Sequence, residues 1–155
     1  MQQLSDKEIQ HYLGTYKDQF KLVKGVSYDQ GNIQAEIIPF IYPFTTEDSG
    51  YVNATQINLY ISQLAYILMA KSISDEKFEL LSKLINPDQF NKKMHERNLF
   101  FGTMILKMKK VMKKQLPIRA DMKIISVRKL AGKIFCDVEF DLGKGSCSGN
   151  VLISI

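Results

Sequence analysis

Between Asn53 and Ser72 the chain runs NATQINLYISQLAYILMAKS without a glycine or a proline. Length and propensity specify one helix over 53–72, with Asn53 as its N-cap. Ile57, Leu59, Tyr60, Ile61, Leu64, Ala65, Ile67, Leu68 and Met69 point all round it rather than along one stripe, so the helix is buried on most sides. Such a helix needs other elements to enclose it. The chain has 155 residues, 45% hydrophobic and 24% charged, which supplies one globular domain over 1–155 and sets disorder aside.

The flanking segments read mostly as strands. FKLVKGVSY and NIQAEIIPFIY alternate apolar and polar residues around the turn signal DQGN (29–32), the pattern of a hairpin. After Asn98 come LFFGTMILKMKKVMKK, MKIISVRKL, KIFCDVEFDL and SCSGNVLISI. In KIFCDVEFD, Ile134, Cys136, Val138 and Phe140 fall on one side and Lys133, Asp137, Glu139 and Asp141 on the other, so the sheet has one wet face. Ser5 and Glu8 predict a capped helix over 5–13 within an N-terminal unit 1–18, ended by Gly14. Residues 73–97, charged and broken at Asn86-Pro87-Asp88, read as a helical insertion, a lid or a connection. The fold class is α+β, an antiparallel sheet wrapped around one long central helix.

Several chemistries are excluded or weakened. There is no Gly-rich phosphate loop, GxGxxG, GxSxG, HExxH or CxxC, and His11 and His95 are the only histidines, so neither a metal site nor a cofactor is implied. Cys136 and Cys147 lie in strand-like apolar runs and read as small hydrophobes. The start, MQQLSDKEIQ, lacks a signal-peptide layout and no run reaches the ~20 apolar residues of a membrane span, so a cytoplasmic location is expected, with no membrane partner.

Charge is unevenly placed. From Lys107 to Lys133 there are ten Lys or Arg against the single acid Asp121, in a chain whose net charge is +5. This is either the solvated face of a strand or the footprint of an anionic partner such as coenzyme A phosphates or an acyl carrier protein. Nucleic acid is not expected, because no aromatic platform accompanies the cations.

Two places draw attention as a site. Asn58, Ser62 and Tyr66 recur at i, i+4, i+8 and share one face of the buried helix, where they either hydrogen-bond to strands or line a pocket. At TTEDSGYVNATQ (45–56) two carboxylates, Glu47 and Asp48, and Gly50 lead into the amino end of that helix. Free N–H groups of a first turn, with the helix dipole behind them, stabilise a developing oxyanion, which suits acyl chemistry. The carboxylates either position water there or act as ordinary loop residues.

GYVNATQINLYISQLAY (50–66), following EDS, resembles the segment that opens the central helix in hot-dog-fold thioesterases, whose pattern is an acid, two residues, Gly, His, an apolar residue and Asn. It is most similar to the FcoT-like fatty-acyl thioesterase family, with Gly50, Asn53, Ala54, Gln63, Leu64, Ala65 and Tyr66 at matching positions. The likeness extends weakly over nearly the whole chain. It departs at Tyr51, where the family has His, and at Ser62, where it has Asn.

The resemblance implies an acyl-thioester hydrolase of medium or long chains, carried on coenzyme A or acyl carrier protein, working as a homodimer or higher homo-oligomer. It implies catalytic roles for Asn53, Tyr66 and Ser62, assisted by Glu47 or Asp48. Substrate contacts would come from Tyr16, Tyr42, Gly50, Tyr51, Val52, Asn58 and Gln63, with amides near Tyr51 to Asn53 holding the thioester oxygen. Tyr42 matches only with two more residues in the loop before Glu47. The alternatives are addition of glycine to an enoyl thioester on a carrier protein, as family members in isonitrile-forming pathways are described, and non-catalytic binding of acyl thioesters.

Overall fold

The structure is a computed structural model that describes residues 1–39, 50–86, 89–90, 92, 100–114 and 116–155. Ser5 opens α1 (Asp6–Tyr12) with a reciprocal capping box to Glu8, and Leu13 closes it just before Gly14. A two-residue strand, β1 (Gln2–Gln3), precedes the helix and had no sequence signal. The expected hairpin follows as β2 (Val23–Asp29) and β3 (Asn32–Ile37). Gln30 and Gly31 both take positive φ at its tip, the turn geometry that matches strand twist. A Cβ at Gly31 would also strike the Phe78 ring at 2.2 Å, so the tip docks directly on the segment after the central helix.

That helix, α2 (Ala54–Ile73), is capped by Asn53 and buries residues on most of its circumference. A 3-10 turn (Glu76–Phe78) and α3 (Glu79–Leu84) continue from it. The rest of the insertion expected over 73–97 lies largely outside the described residues. Then come β4 (Phe100–Met108), β5 (Ile118–Leu130), β6 (Lys133–Leu142) and β7 (Cys147–Ser154).

All strand neighbours are antiparallel, in the order β1-β2-β3-β5-β6-β7-β4. Because β3 and β4 lie far apart in this order, the chain between them crosses the sheet, and α2 is that crossing. It packs on β2, β3 and β5, with α1 beside it. The core lies between: Ile57, Tyr60, Ile61, Leu64, Leu68 and Met69 are wholly buried, as are Val26, Ile37, Cys136 and Ile153 on the strands. The alternation read in β6 holds residue by residue.

β4 is an edge strand with an apolar surface: Ile105 is 56% exposed and Met108 45%. Its other side lies so close to β7 that a Cβ at Gly149 would meet the Ile105 carbonyl oxygen at 1.9 Å, so only glycine allows this pairing.

Candidate active site

The site is built from the amino end of α2 upward. Gly50, with φ of 73°, turns the chain into an antiparallel contact with the segment 112–114. The Val52 N–H donates to the Met112 carbonyl at 2.9 Å, the Lys114 N–H donates to the Gly50 carbonyl at 2.9 Å, and Tyr51 sits opposite Lys113. Val52 is buried and Tyr51 half exposed, as alternation along an extended segment requires.

Asn53 then caps the helix reciprocally: its Oδ1 accepts from the Gln56 N–H at 2.9 Å, and its own N–H donates to Gln56 Oε1 at 3.0 Å. The amides of Val52 and Asn53 are therefore occupied, a correction to the expectation that they hold a thioester oxygen. Ala54 and Thr55, the first two residues of the helix, have N–H groups with no protein acceptor among the described residues, and both residues are exposed. The open donors lie one step later than the sequence suggested.

The polar stripe runs from solvent at Asn58 to a half-buried end at Tyr66. Asn58 is exposed, Ser62 and Tyr66 are partly exposed, and the Ser62 hydroxyl donates to the Asn58 carbonyl at 2.8 Å within the helix. The buried glutamines make the strand-side contacts instead. Gln63, expected to touch substrate, is wholly buried, with Leu22 N–H donating to its Oε1 at 2.9 Å and its Nε2 donating to the Phe20 carbonyl at 2.5 Å. Its amide is spent tying the start of β2 to α2. Gln56 is likewise buried and serves the cap.

One stripe end is aromatic. The Tyr16 and Tyr66 rings lie 5.8 Å apart, and Phe101 of β4 lies 6.5 Å from Tyr66. Burial raises the Tyr16 pKa, with the charge of a Tyr66 phenolate and the hydrogen bond its hydroxyl donates to Tyr66 acting the same way. Burial also raises that of Tyr66, against the stabilising hydroxyl of Tyr16. Both phenols are therefore neutral at physiological pH, with Tyr16 the donor and Tyr66 the acceptor of the bond between them.

Thirteen residues separate Asn53 from Tyr66 on one helix, which at the helical rise is roughly 20 Å. The expected residues thus fall at two ends of the helix, with Asn58, Leu59 and Ser62 between them. Tyr42, Glu47 and Asp48 lie outside the described residues.

The basic segment is also divided. Lys109, Lys110, Lys113 and Arg119 gather at the end of the sheet next to Gly50–Val52, whereas Arg128, Lys129 and Lys133 occupy the opposite end of β5 at its turn into β6. Among the described residues no group of acids, histidines or cysteines forms a metal cluster, and no helix is long and apolar enough to cross a membrane.

No protein-family model and no curated protein sequence matches the chain. Solved structures do. A hypothetical thioesterase protein from Streptococcus pneumoniae TIGR4, crystallised with coenzyme A, superposes with a TM-score of 0.57 at 7% identity, over 94% of each chain. An HP0420 homologue from Helicobacter felis superposes with a TM-score of 0.56 at 15% identity, over 98% of this chain and 92% of that one. A thioesterase superfamily protein from Shewanella loihica PV-4 gives 0.49 at 15% identity, over 90% and 95%. A seven-stranded antiparallel sheet carrying one long buried helix, shared over almost the full length with such proteins, gives this chain the hot-dog fold.

Proposed function

We propose that the protein is an acyl-thioester hydrolase acting on medium- or long-chain acyl groups carried on coenzyme A or an acyl carrier protein. The observation that carries this reading is the pair of open amides, Ala54 and Thr55, at the amino end of a 20-residue buried helix. Two N–H groups and the positive helix end receive a thioester oxygen as it gains charge, and they cost no reorganisation when it does. The Asn53 carboxamide caps the same turn, and Glu47 or Asp48, just upstream in sequence, orients or deprotonates the attacking water.

The acyl chain then lies along the lane past Leu59 and Ser62 towards Tyr66, Tyr16 and Phe101. The fold supports the reading, since a neighbour of this architecture carries the thioesterase name and was crystallised with coenzyme A. The apolar edge of β4 is where a second copy extends the sheet into a homodimer. Sedimentation of the chain as a monomer would remove the dimer from this proposal.

The test is thiol release from a panel of acyl and enoyl thioesters, with and without glycine, read by mass spectrometry. Free acid formed independently of glycine supports hydrolysis. A glycine adduct replaces it with conjugate addition, and absence of turnover replaces it with binding alone.

A further inference from the structure

At the sheet end beside the α2 amino terminus lies a notch of about 290 Å³ between the β4–β5 connection and the β6–β7 turn. Lys113, Arg119 and Lys144 line it together with Met112, Leu116 and Gly143, and among the described residues no carboxylate does. Its frame is held by backbone hydrogen bonds. Lys109 and Lys110 N–H both donate to the Ser146 carbonyl at 2.8 and 3.1 Å, Gly143 N–H donates to the Arg119 carbonyl at 2.8 Å, and Met112 packs beneath Gly143.

Of the acids near the notch, Asp141 accepts from the Gly145 N–H at 2.8 Å, whereas Asp121 pairs with Nε of the notch residue Arg119 at 3.3 Å and Glu36 stands opposite Arg119 on β3, so among the described residues the two lysines carry the unpaired charge. The notch is joined to the proposed reaction centre by two hydrogen bonds, since Lys113 sits opposite Tyr51 and Tyr51 precedes Ala54 by three residues, at most about 11 Å of extended chain.

We propose that Lys113, Lys144 and Arg119 form a phosphate subsite that seats the phosphorylated end of a phosphopantetheine thioester while its acyl end reaches the Ala54 and Thr55 amides. Two lysines and an arginine border one apolar-floored concavity, an arrangement that lets a multivalent phosphate meet more than one cation at once. The inference rests on the thioester reading for the identity of the arm, but phosphate binding in the notch is separable from hydrolysis.

The experiment uses the full chain, the double variant Lys113→Gln/Lys144→Gln, and a control that removes equal charge elsewhere, Lys7→Gln/Lys24→Gln. Glutamine removes the charge while keeping a polar side chain and, at Lys144, adds no strain to the positive φ of 54°. Calorimetric binding of coenzyme A and of inorganic pyrophosphate at low salt is the primary readout. Acyl-coenzyme A, acyl-phosphopantetheine and acyl-pantetheine are then compared as substrates.

Coenzyme A binding is expected to weaken about tenfold or more in the notch variant and not in the control, and to fall as salt rises. The ratio of kcat/KM for acyl-coenzyme A to that for acyl-pantetheine is expected to fall by a similar factor. A preference retained by acyl-phosphopantetheine assigns the subsite to the phosphate shared with carrier proteins; one confined to acyl-coenzyme A assigns it to the nucleotide end. Equal loss in the control, or no binding of either probe by the unmodified chain, overturns the subsite. Coenzyme A binding that depends on the notch, with no hydrolysis of any thioester, keeps the subsite and sinks the hydrolase.

Discussion

Gln63 shows how a residue's chemistry depends on which way the helix turns it. One residue from Ser62 in sequence, it points into the core and holds two backbone groups at the start of β2. Replacing it by methionine keeps the volume and leaves the Leu22 N–H buried without an acceptor, which costs about 1–3 kcal/mol. Urea denaturation of Gln63→Met is expected to show that loss; an unchanged midpoint would mean the contact carries no net stability. The sequence could name Gln63 as polar on a buried helix, but helical spacing cannot say which polar residues meet a strand and which meet solvent. The i, i+4, i+8 pattern placed Asn58, Ser62 and Tyr66 on one face of the helix, where Asn58 is exposed and the other two are partly exposed, with Ser62 bonded within the helix rather than to a strand.

The elements were legible wherever the pattern was long. α2, the β2–β3 hairpin and β6 follow from a Gly- and Pro-free run, a turn signal and a clean alternation. β1 was missed because two residues carry no period, and the packing of 112–114 against 50–52 was missed because a long-range contact leaves no mark in local sequence. At this scale the polar face of α2 makes a distinct prediction. Ser62 stands about 13 Å along the helix from Asn53. Ser62→Phe fills the lane there, so the preferred acyl chain should shorten, with KM for long chains rising more than for short ones. An unaltered chain-length profile would take the acyl group off this face of the helix.

For the molecule as a whole, the core sets how it responds to alkali. Burial, with the neighbouring Asp137 charge, pushes the Cys136 thiol from 9.0 up to about 12. The folded state therefore favours the protonated thiol. Its contribution to stability is intact below pH 9.0 and declines as pH rises towards about 12, because the unfolded chain ionises first. Equilibrium unfolding across that window should slope downward, and the slope should be shallower in Cys136→Ala. Equal slopes in the two proteins would place the thiol outside the core. The fold was readable before the structure because a buried helix and an antiparallel sheet leave few ways to enclose one another. The roughly 20 Å between Asn53 and Tyr66 follows from their spacing on the helix, but the meeting of Tyr16 and Phe101 at Tyr66 does not, since contacts between distant segments leave no mark in local sequence.

The central claim is that the first turn of α2 activates a thioester through its open amides, and one substitution isolates it. Asn53 is extended, with φ of −101° and ψ of 172°, which suits a residue before proline, and Ala54 is the first helical position, where proline is favoured. Ala54→Pro thus deletes one N–H while preserving the helix. With wild type and variant matched for melting temperature, kcat for an acyl-coenzyme A thioester is predicted to fall by about 10²-fold. A folded variant that turns over at the wild-type rate would contradict the account.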